Sequence, residues 1–329
     1  MSEVHKFIFN GLPVRGIVVR LTDTWVEILR RRASNTSVGA YPVPVRDMLG
    51  ELVAAATLMQ ANIKFDGAMV LQVFGDGPVK LAVVEVQSDF SLRATATVIG
   101  TADDTATLSQ MVNVSGAGRC AITLDPKTKF PGQQPYQGVV PLIDNKGQQI
   151  EQINELLEHY MLQSEQLDTT LVLAANEEVA AGLLIQRLPM QGSANLSGST
   201  VGQDGDDQIG LNEDYNRIAV LASSLKRNEL LTLDVDTILH RLFWEEHITR
   251  FEPLRGASSP RFSCSCSRER VGRMILSLGL EETKGILHER GNIEVACEFC
   301  GLQYHFDAID ALQLFASPEG DVSAGSGPH

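Results

Sequence analysis

Cys264 and Cys266 stand one residue apart in SCSCSRERV (263–271), and Cys297 and Cys300 follow as a C-x-x-C in VACEFCGLQYHF. The chain has only five cysteines, so four of them fall in one short segment. No other feature restricts the fold as strongly, because the stretch between the two pairs must double back if the sulfurs are to meet. Four thiolates at this spacing suit one tetrahedral Zn2+ ion. The second pair reads as a zinc knuckle: a strand, a tight turn whose N–H groups point at the sulfurs, Gly301 relieving the turn, and a returning strand. The residues leave two other readings open, four unligated thiols or an iron–sulfur cluster.

Compartment bears on that choice. The opening MSEVHKFIFNGLPVRG has neither a basic stretch followed by an apolar run nor a small-residue cleavage site, and nowhere do 18 apolar residues follow one another. The expectation is a soluble cytoplasmic protein with no membrane partner. Thiols are kept reduced there, so clustered cysteines point to metal binding or redox chemistry rather than a permanent disulfide framework. The formal charge of -14 and the absence of a Lys/Arg cluster argue against nucleic acid as a partner.

Most four-cysteine zinc sites only hold a small module together. Two features point further. A disulfide within C-x-C closes a very small ring, is strained and is easily reduced, which is the character of a switching bond. Arg268, Arg270 and Arg273 follow at once, and cations beside thiolates favour the oxidisable form; taken alone, they read rather as a solvated helix face. Structural zinc contributes on the order of 10 to 16 kcal/mol in small peptides, against roughly 5 to 15 kcal/mol for a whole domain. A module built on these cysteines should therefore unfold without its metal, and any helix resting on it would expose apolar surface.

From the start to about residue 190 the sequence predicts an α+β core domain with mixed sheet and helix. FIFNGLPVRGIVVRLTD reads as extended, VPVRDMLGELVAAATLMQANI as a mostly buried helix, and GAMVLQVFGDGPVKLAVVEVQ as two strands about the turn GDGP at 75–78. CAITLDP and YQGVVPLI read as further strands. Ile150, Ile153, Leu156, Leu157, Tyr160 and Leu167 fall at helical spacing and predict one amphipathic helix. Residues 191–245 are expected to form a linker. It opens with the Gly/Ser/Asp-rich QGSANLSGSTVGQDGDDQIG and ends in two amphipathic helices, one around Ile218, Leu221 and Leu225, the other DVDTILHRLFWEE. Residues 246–316 are expected to form the small C-terminal zinc-binding domain, and 317–329 a disordered tail.

These stretches together resemble the 33-kDa heat-shock protein family, the redox-regulated holdase chaperones of bacteria. The similarity runs through VRGIVVRLT, KFDGAMVLQVFGDGPVKLAVVE, YQGVVPL, YMLQSEQLDT, LLTLDVDTILHRLFWEE, CSCSRERV and CEFCGLQYHFDAIDA. The resemblance implies an N-terminal α+β chaperone and dimerisation domain, a helical linker and a C-terminal redox switch holding one Zn2+ per chain on Cys264, Cys266, Cys297 and Cys300. It further implies that oxidants form Cys264–Cys266 and Cys297–Cys300 disulfides and release the zinc. Switch and linker then unfold, and a homodimer binds unfolding client proteins without ATP and without being an enzyme. Asp168 stands where relatives often have Pro, and Trp244 where many have His.

Rival chemistries are weaker. A thiol-disulfide oxidoreductase sets its C-x-x-C at a helix start, whereas this pair lies between strand-like segments with a C-x-C to meet. A zinc hydrolase or deaminase needs an open coordination position, and four Cys ligands leave none. Glu298 and His305 read as surface or packing residues, His240, His247 and His288 lack metal-ligand spacing, and GDGP lacks the rest of a phosphate-binding loop. Cys120 reads as an inert buried thiol.

Overall fold

The first twenty residues form the predicted extended pair, β1 (Glu3–Phe9) and β2 (Val14–Leu21), in antiparallel register with Phe7 opposite Gly16. A Cβ at Gly16 would come within 2.1 Å of the Phe7 ring, so only glycine lets that ring lie flat on the sheet. The extended reading stops two residues too late, because Asp23 already opens a helix, α1 (Asp23–Ser34). The computed structural model describes residues 1–35, 38–130, 132–188 and 212–316; within these, Met1–Ser263 and Cys264–His329 make two compact units.

The predicted buried helix is α2 (Val43–Asn62), with Pro44 in its first turn. Its residues from Met48 through Asn62 are buried on almost every face except at Glu51 and Asn62, the pattern of a helix enclosed by other elements. Strands β3 (Gly67–Phe74) and β4 (Val79–Gln87) form the hairpin expected around GDGP, followed by β5 (Ser91–Val98). The turn lies on the short helix α3 (Leu108–Val112): Asp76 and Gly77 donate backbone hydrogen bonds to the Val112 carbonyl. A Cβ at Gly75 would meet that oxygen at 2.0 Å, so the loop is docked rather than open to a phosphate. Strands β6 (Arg119–Pro126) and β7 (Tyr136–Pro141) match the predicted extended runs.

The single amphipathic helix expected over 150–167 is shorter. It is α4 (Ile153–Tyr160), which widens into a π-helical turn at Met161–Glu165 and ends at Gln166 in the left-handed region, φ +56°. Ile150 and Leu167 both pack on the core from outside the helix. Strands β8 (Thr169–Ala175) and β9 (Ala180–Arg187) complete the N-terminal half.

Two sheets result, β10-β1-β2-β9-β8 and β11-β5-β4-β3-β6-β7, where β10 is Ile248–Arg250 and β11 is Arg261–Phe262. Helix α2 packs on β2, β8 and β9 of one and on β3, β4 and β5 of the other, so the principal core lies around it. Every residue of β9 is buried, which in an antiparallel sheet requires cover on both faces. The second cover is α5 (Glu213–Ser223), α6 (Arg227–Thr232) and α7 (Val235–Phe243). Sequence patterning predicted two of these; α6 is additional, and Leu225 follows α5 rather than belonging to it. Tyr215, Ile218, Leu230, Ile238, Leu239 and Phe243 close over Phe7, Phe9, Val14, Val18, Leu183 and Ile185. Arg20 fastens the layer by donating to the carbonyls of Leu230, Leu231 and Leu233 at 2.7–3.2 Å, satisfying the orphan end of α6. The Gly/Ser/Asp-rich stretch and the C-terminal tail lie outside the described residues.

Residues between 246 and 263, grouped by sequence with the C-terminal module, join the first unit. Ile248–Arg250 pairs with β1, Arg261–Phe262 with β5, and Arg250 is 2.7 Å from Asp236 of α7. Strands of two or three residues carry too little periodicity to be read in advance. The second unit holds α8 (Arg268–Leu278), α9 (Leu280–Arg290), the hairpin β12 (Ile293–Ala296) and β13 (Gln303–Phe306), and α10 (Ala308–Ala316).

Candidate metal centre

Two peptide segments carry the four cysteines. Cys264 and Cys266 lie in the extended chain before α8, whose start is capped by the Ser267 hydroxyl accepting from Arg270 N at 3.2 Å. Cys297 and Cys300 occupy the turn between β12 and β13. There Cys297 N donates to Leu302 O at 2.9 Å and Gly301 N to Cys297 O at 2.8 Å. Gly301 has φ +72°, the left-handed conformation that the knuckle reading required of it.

The fold brings all four sulfurs within 4.8 Å of one another. Cys264 Sγ is 3.6 Å from Cys297 Sγ, and Cys266 Sγ is 3.3 Å from Cys300 Sγ. Four ligands about 2.3 Å from a tetrahedral ion stand about 3.8 Å apart, so the cluster has the dimensions of a closed, all-sulfur metal site. Three of the thiols are partly buried and Cys300 is buried. Among the described residues this is the one group of three or more His, Cys, Asp or Glu side chains arranged to hold a metal ion.

The proton affinities of the metal-free thiols diverge. Burial raises that of Cys266, but hydrogen bonds from the Tyr304 hydroxyl and the neighbouring cysteines outweigh it and bring the thiol down to about 7. Burial pushes Cys297 and Cys300 up. The hydrogen bond to Cys266 also raises the Tyr304 phenol, which therefore stays a donor. Sequence reasoning missed Tyr304; the signal was the period-two alternation of QYHF, which buries Tyr304 and Phe306 on one face.

The arginines do other work than sulfur activation. Arg268 lies 4.1 Å over the Phe306 ring, donates to His305 O and pairs with Asp310, both at 2.7 Å. Arg270 donates to Ser265 Oγ at 2.6 Å. Those bonds close the C-x-C segment onto α8, β13 and α10. His305 is exposed, 3.4 Å from Glu294. Cys120 in β6 has no exposed surface, and burial pushes its thiol up to about 12, which leaves it unreactive.

A family model described as Hsp33 protein matches residues 2–307. The chain is 40% identical over 314 residues to a 33 kDa chaperonin of Chromobacterium violaceum, covering 95% of this chain and 94% of that one. It is 38% identical over 326 residues to the 33 kDa chaperonin of Neisseria meningitidis serogroup A, covering 98% and 95%. Among solved structures, the 33 kDa chaperonin (heat shock protein 33 homolog) of Thermotoga maritima shares the fold with a TM-score of 0.69 at 20% identity, over 96% of this chain and 98% of that one. With a family model spanning both units and all four clustered cysteines, this chain belongs to the Hsp33 family.

Proposed function

We propose that this protein is a redox-regulated, ATP-independent holdase that protects unfolding proteins in the cytoplasm during oxidative stress. Residues 1–190 form the chaperone and dimerisation core, 191–245 the linker and 264–316 the switch, with 246–263 joining the linker to the switch while pairing with strands of the core. In the reduced state Cys264, Cys266, Cys297 and Cys300 hold one Zn2+, which supplies a cross-link of four Zn–S bonds. The observation that carries the reading is the convergence of four sulfurs in a unit whose fully buried apolar cluster, among the described residues, is Ile275, Ile293, Tyr304, Phe306 and Ala311. So small a core cannot offset the conformational entropy of the segment without a cross-link.

Oxidation consumes the ligands. Each pair of thiols gives two electrons and two protons to one peroxide molecule, forming one S–S bond and two molecules of water. The pairing, within Cys264–Cys266 and within Cys297–Cys300, is the one the family resemblance implies. Loss of all four thiolates releases the metal and removes the cross-link. The segment 246–263 is tied to the linker by Arg250–Asp236 and by the Arg217–Glu246 pair. Unfolding transmitted along it frees α5–α7 and bares the aromatic face of Phe7, Phe9 and Phe243, the type of surface an unfolding client can cover. The exposed form associates as a homodimer.

The test measures zinc content and suppression of client aggregation on one sample before and after peroxide. Loss of one zinc per chain together with gain of protection is expected. Unchanged zinc and unchanged protection would leave a static structural site. Turnover in reduction of a disulfide substrate would favour a thiol-disulfide oxidoreductase instead.

A further inference from the structure

A cavity of about 100 Å³ opens between the two sheets, far along the chain from the cysteines. Its wall is apolar, from Met59 and Ile63 at the end of α2, Met69 of β3, Ile122 of β6, and Met161 and Leu167 beside the π-helical turn. That turn and the left-handed Gln166 are irregular backbone in the core, and such features gather at functional sites because they re-aim side chains.

Three residues lining the cavity carry a buried hydrogen-bonding atom without a partner: Arg15, Asn62 and, through its hydroxyl, Tyr160. Arg15 Nη2 and Asn62 Nδ2 both donate to the wholly buried Gln186 Oε1, at 2.6 and 2.8 Å, and Gln186 in turn donates to Thr169 Oγ1 at 2.9 Å. This network fixes both side chains, yet leaves Arg15 Nε and Asn62 Oδ1 buried without a partner. One is a donor and the other an acceptor, and each buried orphan of this kind carries a desolvation cost that a ligand can relieve. Their shared hold on Gln186 places the two side chains side by side in the lining of the cavity.

We propose that this cavity binds a short branched aliphatic group joined to an amide. The amide carbonyl accepts from Arg15 Nε–H, its N–H donates to Asn62 Oδ1, and the aliphatic part fills the space among the methionines. A carboxylate of the same shape can also accept from Arg15, but it has no proton to offer Asn62 Oδ1 and adds a charge like that of Glu165 in the same lining. Two sources present this chemistry: free small amides, and a leucine or valine residue of an extended polypeptide. The second rests on the chaperone reading and makes the cavity an anchor for one client residue.

Both sources are separable in the full-length protein with 13C-labelled methionine methyl groups. Of eight methionines, Met59, Met69 and Met161 line the cavity. Isovaleramide should shift these three and spare the rest, saturating in the millimolar range expected of so few atoms. Isovalerate should bind at least tenfold more weakly. No shift at the three methyls overturns the site, and equal binding of isovalerate overturns the amide pairing. Ile63→Phe, at the partly buried rim, should abolish the shift while the other methyl signals stay in place; Asn62→Leu should weaken it several-fold without filling the space. If oxidised Ile63→Phe protects a client several-fold less well than oxidised wild type, the polypeptide source is supported; if it protects equally well, that source is overturned and free amides remain. Shifts that persist in a protein that protects no client in any redox state would sink the chaperone reading and leave the site standing.

Discussion

The two units differ in what holds them. Among the described residues, the first buries one apolar cluster of 45 residues around α2 and a second of 19 beneath α5–α7, whereas the second unit buries five. Apolar burial stabilises in proportion to area, so the first unit has far more of its own to hold it folded than the second. On the proposed reading, a four-cysteine site can act as a switch only in a unit poor in apolar core; the same cysteines set in the first unit would decorate a structure that survives without them.

Metal removal breaks the comparison most sharply. Chelation under reducing conditions should unfold residues 264–316, the whole of a binding free energy on the order of 10 to 16 kcal/mol being lost, while β1–β9 and α2 keep their native spectrum. Well-dispersed amide signals for 264–316 after chelation would show that the five-residue core suffices.

The next test asks whether the α5–α7 layer belongs with the stable unit or with the conditional one. Phe243 lies 5.0 Å from the Phe9 ring and 6.0 Å from Phe7. Phe243→Ala should cost about 3 to 5 kcal/mol, the usual range for an aromatic cavity, and should raise binding of a hydrophobic dye by the reduced protein. A lowered urea midpoint with no added dye binding would place these helices permanently in the core.

A smaller effect sharpens the picture inside the first unit. Burial pushes Glu158 up to about 7, offset in part by Leu171 N, which donates to it at 2.7 Å from the edge strand β8. The folded carboxyl therefore holds its proton more tightly than the unfolded one. The stability this gives is fully present below about pH 4.5 and is lost as pH rises through 7. Glu158→Gln keeps the acceptor and removes the titration, so urea unfolding at pH 8 should show the variant more stable by on the order of 2 kcal/mol, with no difference near pH 4. An equal gain at both pH values would assign the effect to packing.

The metal centre was the most legible part of the molecule, because thiolate spacing and the Gly301 turn are local chemistry. The hairpin about GDGP and helix α2 were legible for a similar reason, their turn residues and unbroken apolar character. What escaped was decided at a distance. Helix α1 begins where Ser2 N and Oγ donate to Asp23 from the other end of the hairpin, at 2.7 and 2.5 Å. The buried pair Asp168–Arg187, at 2.7 Å, gives Asp168 a partner across the β8–β9 hairpin that no short window reveals. Likewise the cavity beside Arg15 and Asn62 exists only because β2, α2, β6 and the π-helical turn meet there.

By itself the sequence determined that four cysteines stand at metal-ligand spacing, and that a long apolar helix would need cover on every side, since both follow from residue types a few positions apart. Only the tertiary structure decided which strand carries cover on both faces, that residues 246–263 complete the sheets of the first unit, and which polar atoms are left without partners. Those outcomes depend on hydrogen bonds and apolar contacts between segments distant in the chain, whose strength is set by the burial that folding itself creates.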